Sequence, residues 1–220
     1  MISKKDKLIF LMPPKTASTS LTNTLKKSGI SFLIPNQVTS PLSHLKLDEI
    51  IKIYDVHNLA EYKILQVVRD PYQRFISAYF QLMKIIHNVD NIKFKNYELN
   101  QFTKHLYESK KSENFITNFF GNTSFVENKI KNNEGWGGTR LFDTQISWKN
   151  LDCEITYFKL EDISRDVSSL SNLINLPINS FDFLNSTGKK NYLEMIDEEM
   201  KRIINELFYD DFKSFQYLIL

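Results

Sequence analysis

The sequence predicts an α/β fold in which a central parallel sheet is flanked by helices within one domain, residues 1–220. Short apolar runs, typical of strands buried on both faces, alternate along the chain with longer segments of helical periodicity. A length of 220 residues suits one domain, and a hydrophobic content of 42% is typical of globular chains. Ligands of such sheets bind beyond the carboxyl ends of the strands, so polar clusters at those ends are the first candidates for a functional site.

The chain opens with a predicted strand and a predicted helix. Lys7–Met12 (KLIFLM) is a short apolar run bounded by charge and by two prolines, which predicts a buried strand. Ser18–Lys27 begins with hydroxyl residues and stops before Gly29, which predicts a helix. Ile30–Ile34 is a candidate second strand, since it is apolar and is stopped by a proline.

A helix, a strand and a further helix are predicted next. Apolar residues at helical spacing predict a helix over Leu45–Tyr54, and the run KILQVV predicts a strand over Lys63–Val68. Pro71 suits the first turn of the following helix, which carries apolar residues along one face and extends to Ile86.

The second half of the chain contains one clear strand pattern and three sets of apolar residues at helical spacing. Asn88–Asn133 is polar and aromatic with poor periodicity, so short helices and loops are expected there. Ile155–Lys159 predicts a strand. The apolar residues that predict the later helices are Ile163, Val167, Leu170 and Ile174; Ile196, Met200, Ile203 and Leu207; and Phe208, Phe212 and Phe215.

Composition excludes several classes of protein. A net charge of +2 does not call for a broad polyanion-binding surface, so no nucleic-acid partner is expected. Cys153, the only cysteine, excludes an intramolecular disulfide and a cysteine-rich zinc site, and its apolar setting indicates an inert buried thiol. No window approaches a membrane span or a signal segment, so we expect a soluble, cytoplasmic protein without stable membrane insertion.

The first polar cluster joins the first strand to the first helix and reads Pro14–Ser20 (PKTASTS). Backbone N–H groups and the helix dipole favour an anion there, Lys15 adds a charge, and the hydroxyls of Thr16, Ser18, Thr19 and Ser20 add donors. The alternative is a hydroxyl cap beside an exposed lysine. Because the first glycine is Gly29, the cluster is not a nucleoside-triphosphatase P-loop.

The second polar cluster follows the strand Lys63–Val68. Arg69 stands at the strand end, and Ser77 lies two helical turns further along the chain. The guanidinium fork can grip a phosphate with two hydrogen bonds, and the hydroxyl can donate to the same group. The alternative is a structural pair of Arg69 with Asp70 beside the helix start. Arg74, in the same segment, is interpreted as structural and as pairing near Asp70.

Together the two clusters resemble the motifs of sulfotransferases that use 3′-phosphoadenosine 5′-phosphosulfate (PAPS). The segments that carry the resemblance are PPKTASTSLTNTL and VVRDPYQRFISAYF, and a third, STGKKNYLEMID (Ser186–Asp197), is similar to a late nucleotide-contacting loop. The resemblance covers residues 7–83 and 141–217. It is strongest to the carbohydrate enzymes that include heparan sulfate 2-O-sulfotransferase, and it implies a P-loop-like sulfotransferase fold.

The resemblance implies a role for each matching residue. Lys15, Thr16, Ala17, Ser18, Thr19 and Ser20 would hold the 5′-phosphosulfate, with Lys15 also catalytic at the leaving oxygen; Arg69 and Ser77 would hold the 3′-phosphate; and Thr187, Gly188, Lys189 and Lys190 would close over the nucleotide. The segment Phe158–Glu161 resembles an architectural strand–helix junction. PAPS would be the co-substrate, adenosine 3′,5′-bisphosphate (PAP) the product, and no metal is implied.

The acceptor hydroxyl needs a base, and a histidine suits this role because its pKa lies near neutrality. The family's base falls between the two nucleotide motifs, so His44 is the candidate and His57 the second; His87 and His105 are expected to be solvated. Heparan sulfate 2-O-sulfotransferases carry a His-x-His pair here, whereas this chain has Leu42, Ser43 and His44.

The acceptor is expected to be a carbohydrate, including a polysaccharide. Trp136 either stacks on a sugar or packs on the core, and Lys129, Lys131 and Arg140 either meet an acidic glycan or are solvated surface charge. The alternatives are a hydroxyl on a lipid, small molecule or tyrosine, a kinase-like phosphotransferase, and a non-catalytic nucleotide-binding module. The missing glycine-rich loop argues against a kinase.

Overall fold

The computed structural model describes residues 1–33, 44–86, 98–112, 140–163, 165, 167–175, 177–178, 180–181 and 192–220. The chain divides into two compact units. The first contains Met1–Asp70 and Gln145–Lys189, and the second contains Pro71–Thr144 and Lys190–Leu220. Neither unit is one continuous stretch of chain, and a single domain over residues 1–220 stays a prediction.

The described strands and helices alternate along the chain. The strands are β1 (Ile2–Ser3), β2 (Leu8–Leu11), β3 (Lys63–Val68) and β4 (Thr156–Lys159). The helices are α1 (Ser18–Lys27), α2 (Leu47–Tyr54), α3 (Pro71–Ile86), α4 (Leu99–Lys110), α5 (Leu160–Ile163), α6 (Ser168–Ile174), α7 (Glu198–Leu207) and α8 (Tyr209–Phe215). Short 3₁₀ helices cover Leu59–Glu61, Gln145–Lys149 and Tyr192–Met195. Among the described helices, none has the length and apolarity needed to cross a membrane.

The first unit contains a mixed sheet in the order β1-β2-β3-β4. Strands β2, β3 and β4 are parallel, whereas β1 pairs antiparallel with β2. The α/β class with central parallel strands is therefore confirmed, and the edge strand β1 makes the sheet mixed. The physical reason is the length of the connection: a four-residue turn, with Lys7 at φ 52°, can join only antiparallel strands, because a parallel pair needs a long crossover.

The strand register brings the carboxyl ends of the parallel strands to one edge of the sheet. Leu11, the last residue of β2, pairs with Gln66 of β3, and Val68, the last residue of β3, pairs with Lys159 of β4. The segments that follow these strands therefore leave from the same edge. Both predicted polar clusters begin there.

Helices cover both faces of this sheet, because successive residues of a strand point to opposite sides. On one side Phe10 and Val67 pack in a core with Leu25 of α1 and Leu170 of α6. On the other side the core is formed by Ile9, Leu11, Ile64, Leu47, Ile50 and Trp148. All of β2 and all of β3 except its first residue are buried, which explains why both strands are mainly apolar.

The predicted strand Ile30–Ile34 is absent over its described residues, 30–33. Instead, Ile30 completes the end of α1. Gly29 has a φ of 89°, its N–H donates to the Lys26 carbonyl at 3.0 Å, and the Ile30 N–H donates to the Leu25 carbonyl at 3.1 Å. These two bonds form a Schellman motif, in which an apolar residue after the glycine packs against the last helical turn. Ile30 and Leu25 accordingly share one core.

The second unit has an aromatic core between its helices. Phe75 of α3 packs against Phe102 of α4 and against Phe142 and Phe208, with ring centroids 6.3, 5.6 and 6.2 Å away. Helix α4 is longer than the short helices expected in its region. Arg74 is 1% exposed and donates to the Leu141 carbonyl at 3.1 Å, which agrees with the structural role predicted for it.

Candidate active site

The loop between β2 and α1 adopts an unusual backbone for a segment without glycine. Lys15 has a φ of 69° and Ala17 a φ of 59°, both in the left-handed region that glycine normally occupies. Ala17 is the N-cap of α1, makes no side-chain cap bond, and is followed by a first turn without acidic residues. The positive end of the helix and its first-turn N–H groups are thereby directed to the loop, which favours a bound anion.

The hydroxyl residues of this loop differ in where they lie. The Thr16 hydroxyl donates to the Pro13 carbonyl at 2.7 Å and Thr16 is 1% exposed, so its proton is used to close the loop. Of the donors of Thr16, only the backbone N–H is then left for the predicted contact with a ligand. Ser20 is buried, Ser18 is half-buried and Thr19 is exposed.

Arg69 connects the two predicted clusters. Its Nη1 donates to the backbone carbonyl of Lys15 at 3.3 Å, so the guanidinium lies against the loop that precedes α1. Both residues are half-buried. The Arg69 guanidinium therefore lies beside the backbone of a second positively charged residue, and two cations close together increase the attraction of this edge for anions.

A buried glutamine holds the backbone of Arg69. The Arg69 N–H donates to Gln145 Oε1 at 2.8 Å, and Gln145 Nε2 donates to the Arg69 carbonyl at 2.9 Å. The carbonyl of Gln145 in turn accepts from Gln66 Nε2 at 2.7 Å. Sequence reasoning missed Gln145. Its only signal was Gln66, a polar residue inside the buried strand KILQVV, which must find a partner.

His44 lies beside the end of β2. Its Nδ1 is 2.8 Å from the Met12 carbonyl. A carbonyl oxygen can only accept, so Nδ1 carries the proton of this bond and the lone pair of the neutral ring is on Nε2. His44 is half-buried, and this placement gives it the tautomer that a general base requires.

The other histidines are placed differently. His57 is 83% exposed and lies 3.0 Å from Asp55, so it is a surface group. His105 lies on α4 in the second unit and is half-buried, not solvated as predicted, and His87 is outside the described residues. Among the described histidines, His44 is the one that lies at hydrogen-bond distance from the Met12 carbonyl at the end of β2.

The remaining predicted site residues belong to the second unit or lie outside the described residues. Ser77 is a buried residue of α3 and belongs to the second unit. Thr187, Gly188, Lys189 and Lys190 lie outside the described residues, as do Trp136, Lys129 and Lys131. Arg140 is described and is half-buried.

Two further groups bear on the chemistry of the chain. Burial raises the pKa of the Cys153 thiol, which disfavours the reactive thiolate. Within the part of the chain that the structure describes, no three His, Cys, Asp or Glu side chains are grouped to hold a metal ion. The described side chains at this edge of the sheet include two cationic groups, Lys15 and Arg69, and the imidazole of His44.

Comparison with known proteins identifies the family. The model described as "Sulfotransferase family" matches residues 1–218. No protein of curated function matches the sequence. The chain is similar to a solved structure titled "Crystal Structure of Sulfotransferase from Alicyclobacillus acidocaldarius", with 14% identity and a TM-score of 0.46 over 97% of this chain and 95% of that chain. The chain belongs to the sulfotransferase family of enzymes, which generally take the sulfuryl group from PAPS.

Proposed function

We propose that the protein transfers the sulfuryl group of PAPS to a hydroxyl of a carbohydrate acceptor, with His44 as the general base. The observation that carries the proposal is that two side chains, those of His44 and Arg69, contact the one short segment that contains Lys15. His44 contacts Met12, Arg69 contacts Lys15, and Lys15 itself belongs to the loop at the carboxyl end of β2. This arrangement supplies cationic groups for the anionic sulfuryl donor and an imidazole that can accept the proton of the acceptor hydroxyl.

The residues of the loop suit the charges of PAPS. When bound, PAPS supplies a sulfuryl group on a phosphate that leaves as an anion. The first-turn N–H groups of α1 and the ammonium of Lys15 would stabilise the negative charge that develops on the leaving phosphate. The absence of acidic residues from the first turn fits the same charge. Glycine is not required, because Lys15 and Ala17 already adopt the left-handed backbone.

Arg69 is proposed to bind the 3′-phosphate. Its guanidinium has five N–H donors in a fixed plane, and one donation to Lys15 keeps this plane beside the loop. For Ser77 as a second 3′-phosphate ligand, and for Thr187–Lys190 as a cover over the nucleotide, the assignment rests on the sequence resemblance alone.

His44 is proposed to accept the proton of the acceptor hydroxyl at Nε2. As the hydroxyl oxygen forms its bond to sulfur, the bond from sulfur to the phosphate oxygen breaks, and the proton passes to the imidazole. The bond from Nδ1 to the Met12 carbonyl holds the ring in orientation and stabilises the imidazolium that forms. The carbohydrate class of the acceptor rests on the resemblance to heparan sulfate 2-O-sulfotransferases. The single His44, in place of their His-x-His pair, distinguishes this chain from them.

The donor site is tested by calorimetry with PAP, using ATP with Mg²⁺ and 5′-AMP as controls. We expect PAP to bind more tightly than either control. Arg69→Ala should weaken PAP binding by about 10–100-fold, since hydrogen bonds to charged groups contribute about 1.5–3 kcal/mol. ATP binding as tight as PAP binding would favour the phosphotransferase alternative.

The base is tested by comparing two histidine variants in sulfuryl transfer from PAPS to a panel of sugars, polysaccharides, phenols and lipids. His44→Ala should lower kcat by about 10²–10⁴-fold, the usual contribution of a general base. His57→Ala is the matched control and should leave kcat unchanged, because His57 is exposed and remote in sequence from the loop. Equal losses in the two variants would remove His44 as the base, and transfer to phenols alone would overturn the carbohydrate assignment.

A further inference from the structure

We propose that Gln145 is a positioning residue that fixes the backbone of Arg69, so that its guanidinium is presented to the 3′-phosphate of the nucleotide. This inference rests on the proposed function, because it takes Arg69 as the 3′-phosphate ligand. Gln145 lies far from Arg69 in sequence and matches neither nucleotide motif. Its role is visible only in the folded chain.

Arg69 lies next to the paired part of the sheet but outside it. Strand β2 ends at Leu11, opposite Gln66, and the last pair between β3 and β4 is Val68 with Lys159. Arg69 thus lies just beyond the ladder. Its N–H and carbonyl would need other partners, since buried or half-buried backbone groups are costly when unpaired.

The side-chain amide of Gln145 bonds to both the N–H and the carbonyl of Arg69. Gln145 Oε1 accepts from the Arg69 N–H at 2.8 Å, and Gln145 Nε2 donates to the Arg69 carbonyl at 2.9 Å. A primary amide carries an acceptor and a donor side by side, which is what the two groups of one extended residue require. A carboxylate lacks the donor and a methionine lacks both groups, so only an amide of this length can make the pair of bonds.

Gln145 is itself held in place by burial and by a hydrogen bond. It is 0% exposed, and its backbone carbonyl accepts from the side chain of Gln66, which is also 0% exposed. Gln66 lies in β3, three residues before Arg69. Gln145 therefore links Gln66, inside β3, to Arg69, just after the end of β3. These bonds lie in a buried region, where hydrogen bonds are strong.

The next residue is held in a similar way. The Asp70 N–H donates to Glu161 Oε1 at 3.0 Å. Two consecutive peptide groups are thus anchored by side chains from a later part of the chain, Gln145 and Glu161. With its backbone fixed, the Arg69 side chain loses less freedom when its guanidinium binds an anion, and less lost freedom means tighter binding.

The test compares the dissociation constants of PAP and 5′-AMP, which differ by the 3′-phosphate, for wild type and three variants. Arg69→Ala should lower the preference for PAP by about 10–100-fold. Gln145→Met, which keeps the volume but removes both bonds, should lower it by at least about 5-fold while Arg69 is present. In the double variant Gln145→Met should cause no further loss, because the residue acts through Arg69.

This readout separates positioning from stability. Partial unfolding weakens both ligands by the same factor, so the ratio of the two constants does not change. Ile64→Val, on the same strand β3, is the matched control and should reduce stability without changing the ratio. If Gln145→Met does not fold, Gln145→Asn keeps a neutral amide but is one methylene too short to make both bonds to Arg69, and a loss of preference in the same direction is expected.

Two results would overturn the proposal, and they are distinguishable. A Gln145→Met ratio within about 2-fold of wild type, with a clear loss in Arg69→Ala, would make Gln145 purely structural while the 3′-phosphate site stands. An unchanged ratio in Arg69→Ala itself would show that Arg69 does not bind the 3′-phosphate, and both this inference and that part of the proposed function would fail.

Discussion

Two residues of the loop after β2 hold a backbone that glycine normally supplies. Lys15 and Ala17 have φ values of 69° and 59°, and each such L-residue costs about 1–2 kcal/mol relative to the right-handed region. Strain of this kind is common where a functional group must be held in place. Glycine at position 15 would avoid this strain but would lack the ammonium group. The strain and the proposed catalytic role therefore belong to the same residue.

Ala17 provides a direct measure of this strain. Ala17→Val should lower the free energy of unfolding by about 1–3 kcal/mol, because a β-branched side chain is poorly tolerated at positive φ. Ala60→Val is the matched control, since Ala60 is exposed in the 3₁₀ helix Leu59–Glu61, and it should change stability by less than about 0.5 kcal/mol. Equal effects in chemical denaturation would contradict the left-handed conformation at Ala17.

The candidate site could be predicted from sequence only where its residues are close to a strand end. Arg69 directly follows an apolar run and Lys15 follows one after two prolines, so the topology of a parallel sheet places both at one edge. The partner of Arg69 could not be found in this way. Gln145 reaches it through a pairing between distant segments, and no local pattern marks a glutamine that will be buried.

Among the elements, the regular strands and helices were predicted well and the chain reversals were not. Strand β3 and helix α3 have the predicted bounds, because one is a mainly apolar run that ends at Arg69 and the other opens on a proline. Strand β1 has two residues and no periodicity to detect. Ile30 was assigned to a strand because apolar runs are ambiguous, whereas its role depends on the hydrogen bonds that end α1.

Helix α4 ends in a lysine with an unusual environment. Lys110 donates to the Phe142 carbonyl and lies 5.6 Å from the Phe208 ring, and Arg74 lies 5.9 Å from the same ring. Burial lowers the pKa of Lys110 from 10.5 to about 8, and Arg74 acts in the same direction. The charged form of Lys110 is therefore disfavoured in the folded chain.

The pH dependence of stability follows from this shift. Between pH 8 and 10.5 the unfolded chain binds the Lys110 proton more strongly than the folded chain does, so stability should rise with pH over that range. Relative to Lys110→Met, wild type should gain roughly 1–3 kcal/mol from pH 7.5 to 10.5, at about 1.4 kcal/mol per pKa unit. The measurement is urea unfolding at several pH values.

A second lysine on the same helix is the control for this prediction. Hydrogen bonding to Glu199 raises the pKa of Lys104, so its stabilising contribution is present below pH 10.5 and is lost only at higher pH. Lys104→Met should therefore show no relative change between pH 7.5 and 10. A flat difference for Lys110→Met over the same range would mean that Lys110 is solvated in the folded chain.

For the whole molecule, ligand binding is expected to raise thermal stability. PAP at 100 times its dissociation constant should stabilise the folded chain by about 2.7 kcal/mol. For a chain of this size that corresponds to a rise in Tm of about 5–10 °C. The same concentration of 5′-AMP should give a smaller rise, and Arg69→Ala should reduce the effect of PAP to that of 5′-AMP. Equal shifts for the two nucleotides in wild type would argue against a 3′-phosphate site.

The sequence specifies the class of fold of the whole molecule but not how the chain divides into compact units. Alternating strands and helices indicate an α/β chain, and that class is confirmed. The two compact units, however, are each assembled from separate stretches, Met1–Asp70 with Gln145–Lys189 and Pro71–Thr144 with Lys190–Leu220. Periodicity identifies elements one at a time and carries no information on which distant elements pack together.

The pairing of β3 with β4 has a consequence for how the protein is made. Leu65 pairs with Thr156 and Val68 with Lys159, so β4 leaves the ribosome long after β3. At about 5–20 residues per second the interval is on the order of 10 s. Throughout it the apolar strand β3 has an unpaired edge, which can recruit other chains. Slower, cooler expression or an excess of holdase chaperone should therefore increase the yield of soluble enzyme.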